Sequence, residues 1–273
     1  MRKIITLLLL LAVVLTTAFS GCTATVPENE VTAQFNDEYE ADSNTVLNVD
    51  NTDGDISVNS GEVDKITLKA IKRTYYGEDE LNKVKITATG SGNEITVRTT
   101  YPEMTSPMVS VDMEITVPSG VTVNSVEVVN GDIRISNTKG DTSASCSNGE
   151  ITMNNINGYV SAQADNGGIN IRKTTGINDL EIVNGDIVTD IFDIKDDVTI
   201  KGVNGDITAF INPSLNAAID IETAYGIVSA NDIQLTLTGS EETHITGVLG
   251  NGGNKLTIGN TNGDVNLKKL SVN

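Results

Sequence analysis

Glycine recurs every nine residues from Gly131 to Gly185, at 131, 140, 149, 158, 167, 176 and 185. No other feature restricts the possible folds so sharply. Every second glycine sits in a stronger motif: Asn130-Gly131-Asp132, Asn148-Gly149-Glu150, Asn166-Gly167-Gly168 and Asn184-Gly185-Asp186, each followed by Ile. The structural unit is therefore 18 residues made of two related halves. It returns less regularly at Asn204-Gly205-Asp206 and Asn262-Gly263-Asp264, with a forerunner at Asp53-Gly54-Asp55. A unit this short cannot enclose a core alone, so the units must stack and share one.

Between the glycines apolar residues alternate with polar ones, as in Ile133/Ile135, Ile151/Met153 and Ile169/Ile171. That is the period of a strand with one buried face. Two strands per 18 residues predict a coil that wraps once and lands on its neighbour about 4.8 Å away. Asn130, Asn148, Asn166 and Asn184 would then form a ladder of side-chain amides, and the following glycine would take the left-handed backbone of a sharp corner. Ile133, Ile151, Ile169 and Ile187 would form one buried column. The rival is an antiparallel meander or sandwich, in which each Asn-Gly is a hairpin turn. The expected fold is all-β: a single-domain β-solenoid, parallel β-helix-like, with roughly eight coils between 130 and 270, a rod about 35–40 Å long.

Residues 1–21 have the pattern of an export signal. Arg2 and Lys3 precede an apolar run from Ile4 to Leu15 that is short for a membrane span. The run leads to Phe19-Ser20-Gly21-Cys22, which resembles a bacterial lipobox with Phe19 where Leu is usual. The resemblance implies lipidation at Cys22 and a protein held on the extracytoplasmic side of the cell membrane. Residues 22–44 follow as an acidic tether with six carboxylates and no Lys or Arg; Phe35 and Tyr39 suggest that its end docks on the domain. The rest, 45–273, divides into irregular capping coils (45–129) and the regular Asn-Gly-Asp repeats (130–273), with Lys268 and Lys269 expected to blunt the last strand.

The net charge is −19. Without Arg2 and Lys3 the 18 basic residues become 16 against 37 acidic ones, a charge of −21. Such a chain repels nucleic acid and anionic surfaces. Cys146 falls on the apolar phase of its strand and reads as a core residue.

Three features taken together resemble the bacterial putative-adhesin family built on the domain of unknown function 4097. They are Glu114-Ile115-Thr116-Val117-Pro118-Ser119-Gly120 just before the repeats, the run of Asn-Gly-Asp-Ile motifs, and Gly250-Asn251-Gly252-Gly253-Asn254-Lys255-Leu256 ahead of the last motif. The likeness covers roughly 46 to 270. It implies a β-solenoid on the cell envelope, and it supplies no catalytic residues.

The residues themselves leave more than one function class open. One is a non-catalytic surface interaction module with a protein or glycan partner. Another is a structural or signalling accessory of the envelope. A third is a carbohydrate-active β-helix enzyme, for which Asp132, Glu150, Asp186 and Asp206 recur at one corner; with no Trp and 4% aromatic residues the chain has few sugar platforms. No cofactor is expected. Calcium between turns would use the same carboxylates, but each nonapeptide carries one Gly and the acid is lost at Gly168, so turn stabilisation is the simpler role. Tyr75, Tyr76 and Tyr101 are the aromatic concentration outside the tether and are expected to pack into the core or its rim.

Overall fold

The computed structural model describes residues 29–102, 108–230 and 232–271. The signal segment and Cys22 lie outside the described residues. The first part of the chain folds as β1 (Val31–Glu40), β2 (Val46–Asp53), β3 (Ile56–Gly61), β4 (Lys65–Thr74), α1 (Glu78–Lys83), β5 (Lys85–Ser91), β6 (Glu94–Thr100) and β7 (Ser110–Pro118). The repeats form β8 (Thr122–Asn130), β9 (Ile133–Ser136), β10 (Thr142–Asn148), β11 (Ile151–Asn166), β12 (Ile169–Asn184), β13 (Ile187–Ile191), β14 (Val198–Asn204) and β15 (Ile207–Ile211). The chain ends with β16 (Ala217–Tyr225), β17 (Val228–Ser229), β18 (Thr236–Ser240), β19 (His244–Leu249), β20 (Lys255–Asn262) and β21 (Val265–Lys269).

All the strands join one continuous sheet wound into a β-solenoid. One face stacks β6, β2, β8, β10, β11, β12, β14, β20 and β16 in parallel register. After the Asn-Gly corner the chain turns onto a second face, where β7, β3, β9, β11, β12, β13, β15, β21 and β17 stack likewise. A narrow third side returns the chain to the first face; it includes the parallel bridges Thr122–Lys139 and Lys139–Asn157.

The alternating apolar residues of both faces point into one core. Ile133, Ile151, Ile169 and Ile187 form the expected column, each in register with the next and each buried. The column extends through Met113 and Ile56 at one end, and through Ile207, Val265 and Val228 at the other. Parallel pairing across these isoleucines excludes the hairpin meander.

Stack order departs from chain order at both ends. The coil β2–β3 lies between β6–β7 and β8–β9, so the chain builds an inner coil, runs outward, and returns to the inner coil's other side. At the far end β14–β15 is followed in space by β20–β21 and only then by β16–β17. The last strands in sequence are therefore inner strands. Lys268 and Lys269 pair with Phe210 and Ile211 on one side, and β17 covers only Val265 and Asn266 on the other. The 130–270 stretch supplies seven corner rungs rather than eight, and Asp53-Gly54 supplies another. Eight rungs span about 34 Å.

The two inserted coils share a device. Where the middle coils place Cys146, Ala164 and Ile182 under the corner, the inserted ones place a buried Asn. Asn51 Nδ2 donates to the carbonyls of Gly54 and Val111, and its Oδ1 accepts from Thr99. Asn260 Nδ2 donates to the Gly205 carbonyl.

Antiparallel strands close both ends. β4 lies on β7 and β1 on β4, β5 lies on β6, and β19 and β18 extend beyond β16. Such cover keeps the open edges from pairing with other chains. The acidic segment 22–44 is thus no free tether over its second half. Val31, Ala33, Phe35 and Tyr39 pack on the core, while Thr32, Gln34, Asp37, Glu38 and Glu40 face solvent. The 45–129 stretch likewise holds a regular inner coil as well as capping strands.

Candidate binding cleft on the third side

The repeat residues line the first corner. Asn148 Nδ2 donates to Asn130 Oδ1 at 2.8 Å, and the same bond links Asn166 to Asn148, Asn184 to Asn166, Asn204 to Asn184, and Asn262 to Asn204. Glycine is required beside them. A Cβ on Gly185, at φ +138°, would stand 1.4 Å from the Gly167 carbonyl oxygen, and one on Gly149 would be 2.1 Å from that of Gly131.

The acids form a ladder of another kind. The backbone N–H of each donates to the carboxylate one coil away: Asp132 to Asp55, Glu150 to Asp132, Asp206 to Asp186, and Asp264 to Asp206. Gly168, in register between Glu150 and Asp186, interrupts the column. Arg134 offsets two of the charges by reaching Asp55 and Asp132. These carboxylates stitch neighbouring turns together. Among the described residues no group of three or more His, Cys, Asp or Glu stands together as metal ligands.

Other candidates separate. Burial pushes the Cys146 thiol up to about 11, and Sγ contacts the Gly131 carbonyl, so no thiolate forms near neutral pH. His244 Nε2 lies 2.8 Å from Asp220, which also pairs with Lys255; these partners hold the Asp220 carboxyl below its usual range. Tyr75 and Tyr76 are 52% and 65% exposed and do not pack into the core as expected, whereas Tyr101 does, and burial raises its pKa to about 12.

Unlike groups converge on the third side. A second, shorter amide ladder starts there: Asn137 Nδ2 donates to Asn59 Oδ1 and Asn155 Nδ2 to Asn137 Oδ1, both at 2.8 Å. Asn137 and Asn155 take φ +57°, the left-handed conformation that Asn tolerates better than most residues. The next rung is Lys173, at φ +52°. Beyond it the repeat lengthens, since Asn184 and Asn204 are 20 residues apart rather than 18, and the added length falls in the loop after β13.

The result is a cleft of about 650 Å³ lined by Asn155, Asn157, Lys173, Thr175, Asp190 and Phe192, among others. Phe192 is 45% exposed. Asp190 is buried; it accepts from Arg172 at 2.6 Å and from the Lys173 backbone N–H at 3.2 Å. The Arg172 guanidinium also lies 4.8 Å from the Phe210 ring centre. Behind the loop Tyr159 donates to Asp193 at 2.6 Å, and Lys195 covers the Tyr159 ring while pairing with Asp141. The bond to Asp193 raises the Tyr159 phenol to about 12, and Lys195 lowers the Asp141 carboxyl. The sequence reading missed this site. Its signal was the change of spacing from 18 to 20, together with Lys173 at a position where earlier coils carry Asn.

A family model described as Toastrack DUF4097 matches residues 17–268. No curated protein matches the chain. Among solved structures, the chain is similar to a putative cell adhesion protein from Clostridium sporogenes, with 16% identity, 88% of this chain and 100% of that one covered, and a TM-score of 0.35. It is also similar to putative adhesins from Bacteroides fragilis (14% identity, 88% and 98% covered, TM-score 0.36) and Parabacteroides merdae (15%, 90% and 99%, 0.34).

Proposed function

The chain belongs to the Toastrack DUF4097 family, and on that premise we propose a non-catalytic, lipid-anchored interaction module of the cell envelope. The observation that carries this reading is how the polar side chains are used. At the repeat corner, amides and carboxylates are engaged in joining one coil to the next. Different groups meet in the third-side cleft, where the buried carboxylate of Asp190 is held by Arg172 and a backbone N–H. That carboxylate is not free to act as a general base. The site suits recognition, and the rod behind it gives a rigid mount.

With acylation at Cys22, only residues 22–30 separate the lipid from β1. Nine residues span at most about 30 Å, so the N-terminal end of the stack would stay close to the membrane. The expected outcome is that Cys22→Ala moves the protein from the membrane fraction to the medium or periplasm, and that the released protein, purified and added back, binds intact cells. A wild-type protein that incorporates no labelled fatty acid would refute the anchor. Turnover of glycan, peptidoglycan or ester substrates, lost in Asp186→Asn, would replace the module with an enzyme.

A further inference from the structure

We propose that the third-side cleft binds an acidic saccharide, with a sugar ring on Phe192 and its carboxylate on Lys173; this rests on the surface-module reading. Four observations converge. First, the cleft lies where the second amide ladder stops. Asn59 and Asn137 each accept a bond from the next rung through Oδ1, but no described residue donates to Asn155 Oδ1. The acceptor faces a cleft that also holds Asn157 and Thr175, so hydroxyl groups of a ligand can complete the ladder.

Second, Lys173 carries charge that the fold does not use. Its basic neighbours are engaged, Arg172 with Asp190 and Lys195 with Asp141. Among the described residues Lys173 is in no ion pair, although the chain has 37 acidic residues. It also occupies a left-handed position that an unbranched cationic side chain disfavours, and such conformations collect at functional sites. Third, the one carboxylate lining the cleft, Asp190, is neutralised by Arg172 at 2.6 Å, and Lys268 lies two strands away, on the far side of Phe210. Lys173 therefore faces a lining whose one carboxylate is already paired, and an anion can be held here although the acidic surface repels polyanions in general. Fourth, the half-exposed Phe192 ring supplies an apolar surface beside these polar groups, and the volume falls in the range of small-ligand sites.

The test uses the full chain in detergent, titrated calorimetrically with digalacturonate, its neutral dimethyl ester and inorganic phosphate. Digalacturonate should bind at least about tenfold more tightly than the ester, the scale of one charge-assisted bond. Lys173→Gln should reduce the acid to the ester's affinity and leave the ester unchanged. Phe192→Ala should weaken both sugars. Both side chains are exposed enough that the melting temperature should hold, which checks folding. Equal binding of acid and ester, or no binding of either, would overturn the proposal. So would phosphate binding as tightly as the uronate and insensitive to Phe192→Ala, because that describes a simple anion site. The module reading fails separately: Cys22→Ala protein, freed of its anchor, that does not bind intact cells when added back removes it. Binding of that anchor-free protein that survives the Lys173→Gln/Phe192→Ala double change keeps the module and removes the cleft.

Discussion

The Asn-Gly corner and the third side are built from the same amide ladders, yet they end differently. At the corner the ladder runs unbroken through Asn130, Asn148, Asn166, Asn184, Asn204 and Asn262. On the third side it stops after Asn59, Asn137 and Asn155, and a lysine, a phenylalanine and a longer loop follow. The difference shows how a repeat protein obtains a site. Identical rungs satisfy one another and leave little for a ligand. A rung that departs from the pattern leaves an acceptor and a charge without partners, on a scaffold that the remaining rungs keep rigid.

The largest predicted effect is at the corner. Gly185→Ala adds a left-handed Cβ and a clash with the Gly167 carbonyl, and should cost about 3 kcal/mol or more in urea unfolding. A cost under about 1 kcal/mol would mean that the corner is soft, and the contrast with the third side would collapse. Ile151→Ala empties a position in the middle of the buried column and should cost about 2–4 kcal/mol by the same measurement.

The sharpest test of the comparison is Lys173→Asn. It restores the ladder on the third side and suits φ +52°, so the protein should gain about 1 kcal/mol while losing its preference for the charged sugar. Loss of stability would show that Lys173 is structural. The smallest effect concerns pH. Lys195 holds the folded Asp141 pKa below its unfolded value, so its contribution is present above the unfolded carboxylate pKa and disappears as pH falls through the folded one. Both partners are substantially exposed, which keeps the effect small. Asp141→Asn should flatten the acid limb of the stability profile slightly and leave stability at neutral pH nearly unchanged.

The middle of the fold was legible because a strict period specifies phase. Gly149 and Ile151 announce a corner and a core position whatever coil lies next to them. Neighbours are another matter. Asn262-Gly263-Asp264 has the same phase as Asn204-Gly205-Asp206, and nothing in the motif says that Tyr225 comes beyond it in space rather than before it. Asn51 and Asn260 distinguish the inserted coils, but a buried Asn in a strand gives no direction. β1 was obscured by its carboxylates: an edge strand buries one face only, so the Val31, Ala33, Phe35 alternation shares its length with charges on the outer side. The cleft depends on a two-residue change in spacing, which periodicity registers as noise.

The insertion of β20–β21 also sets a rule for biosynthesis. A polypeptide emerges from its N-terminus, but here the slot between β14–β15 and β16–β17 waits for residues 255–269, which are made after both flanking coils. The C-terminal part of the stack cannot close until residue 269 has left the ribosome. A product ending before Lys255 would expose two facing strand edges, a state that proteases and chaperones recognise. Closure of the rod therefore reports that synthesis has passed residue 269.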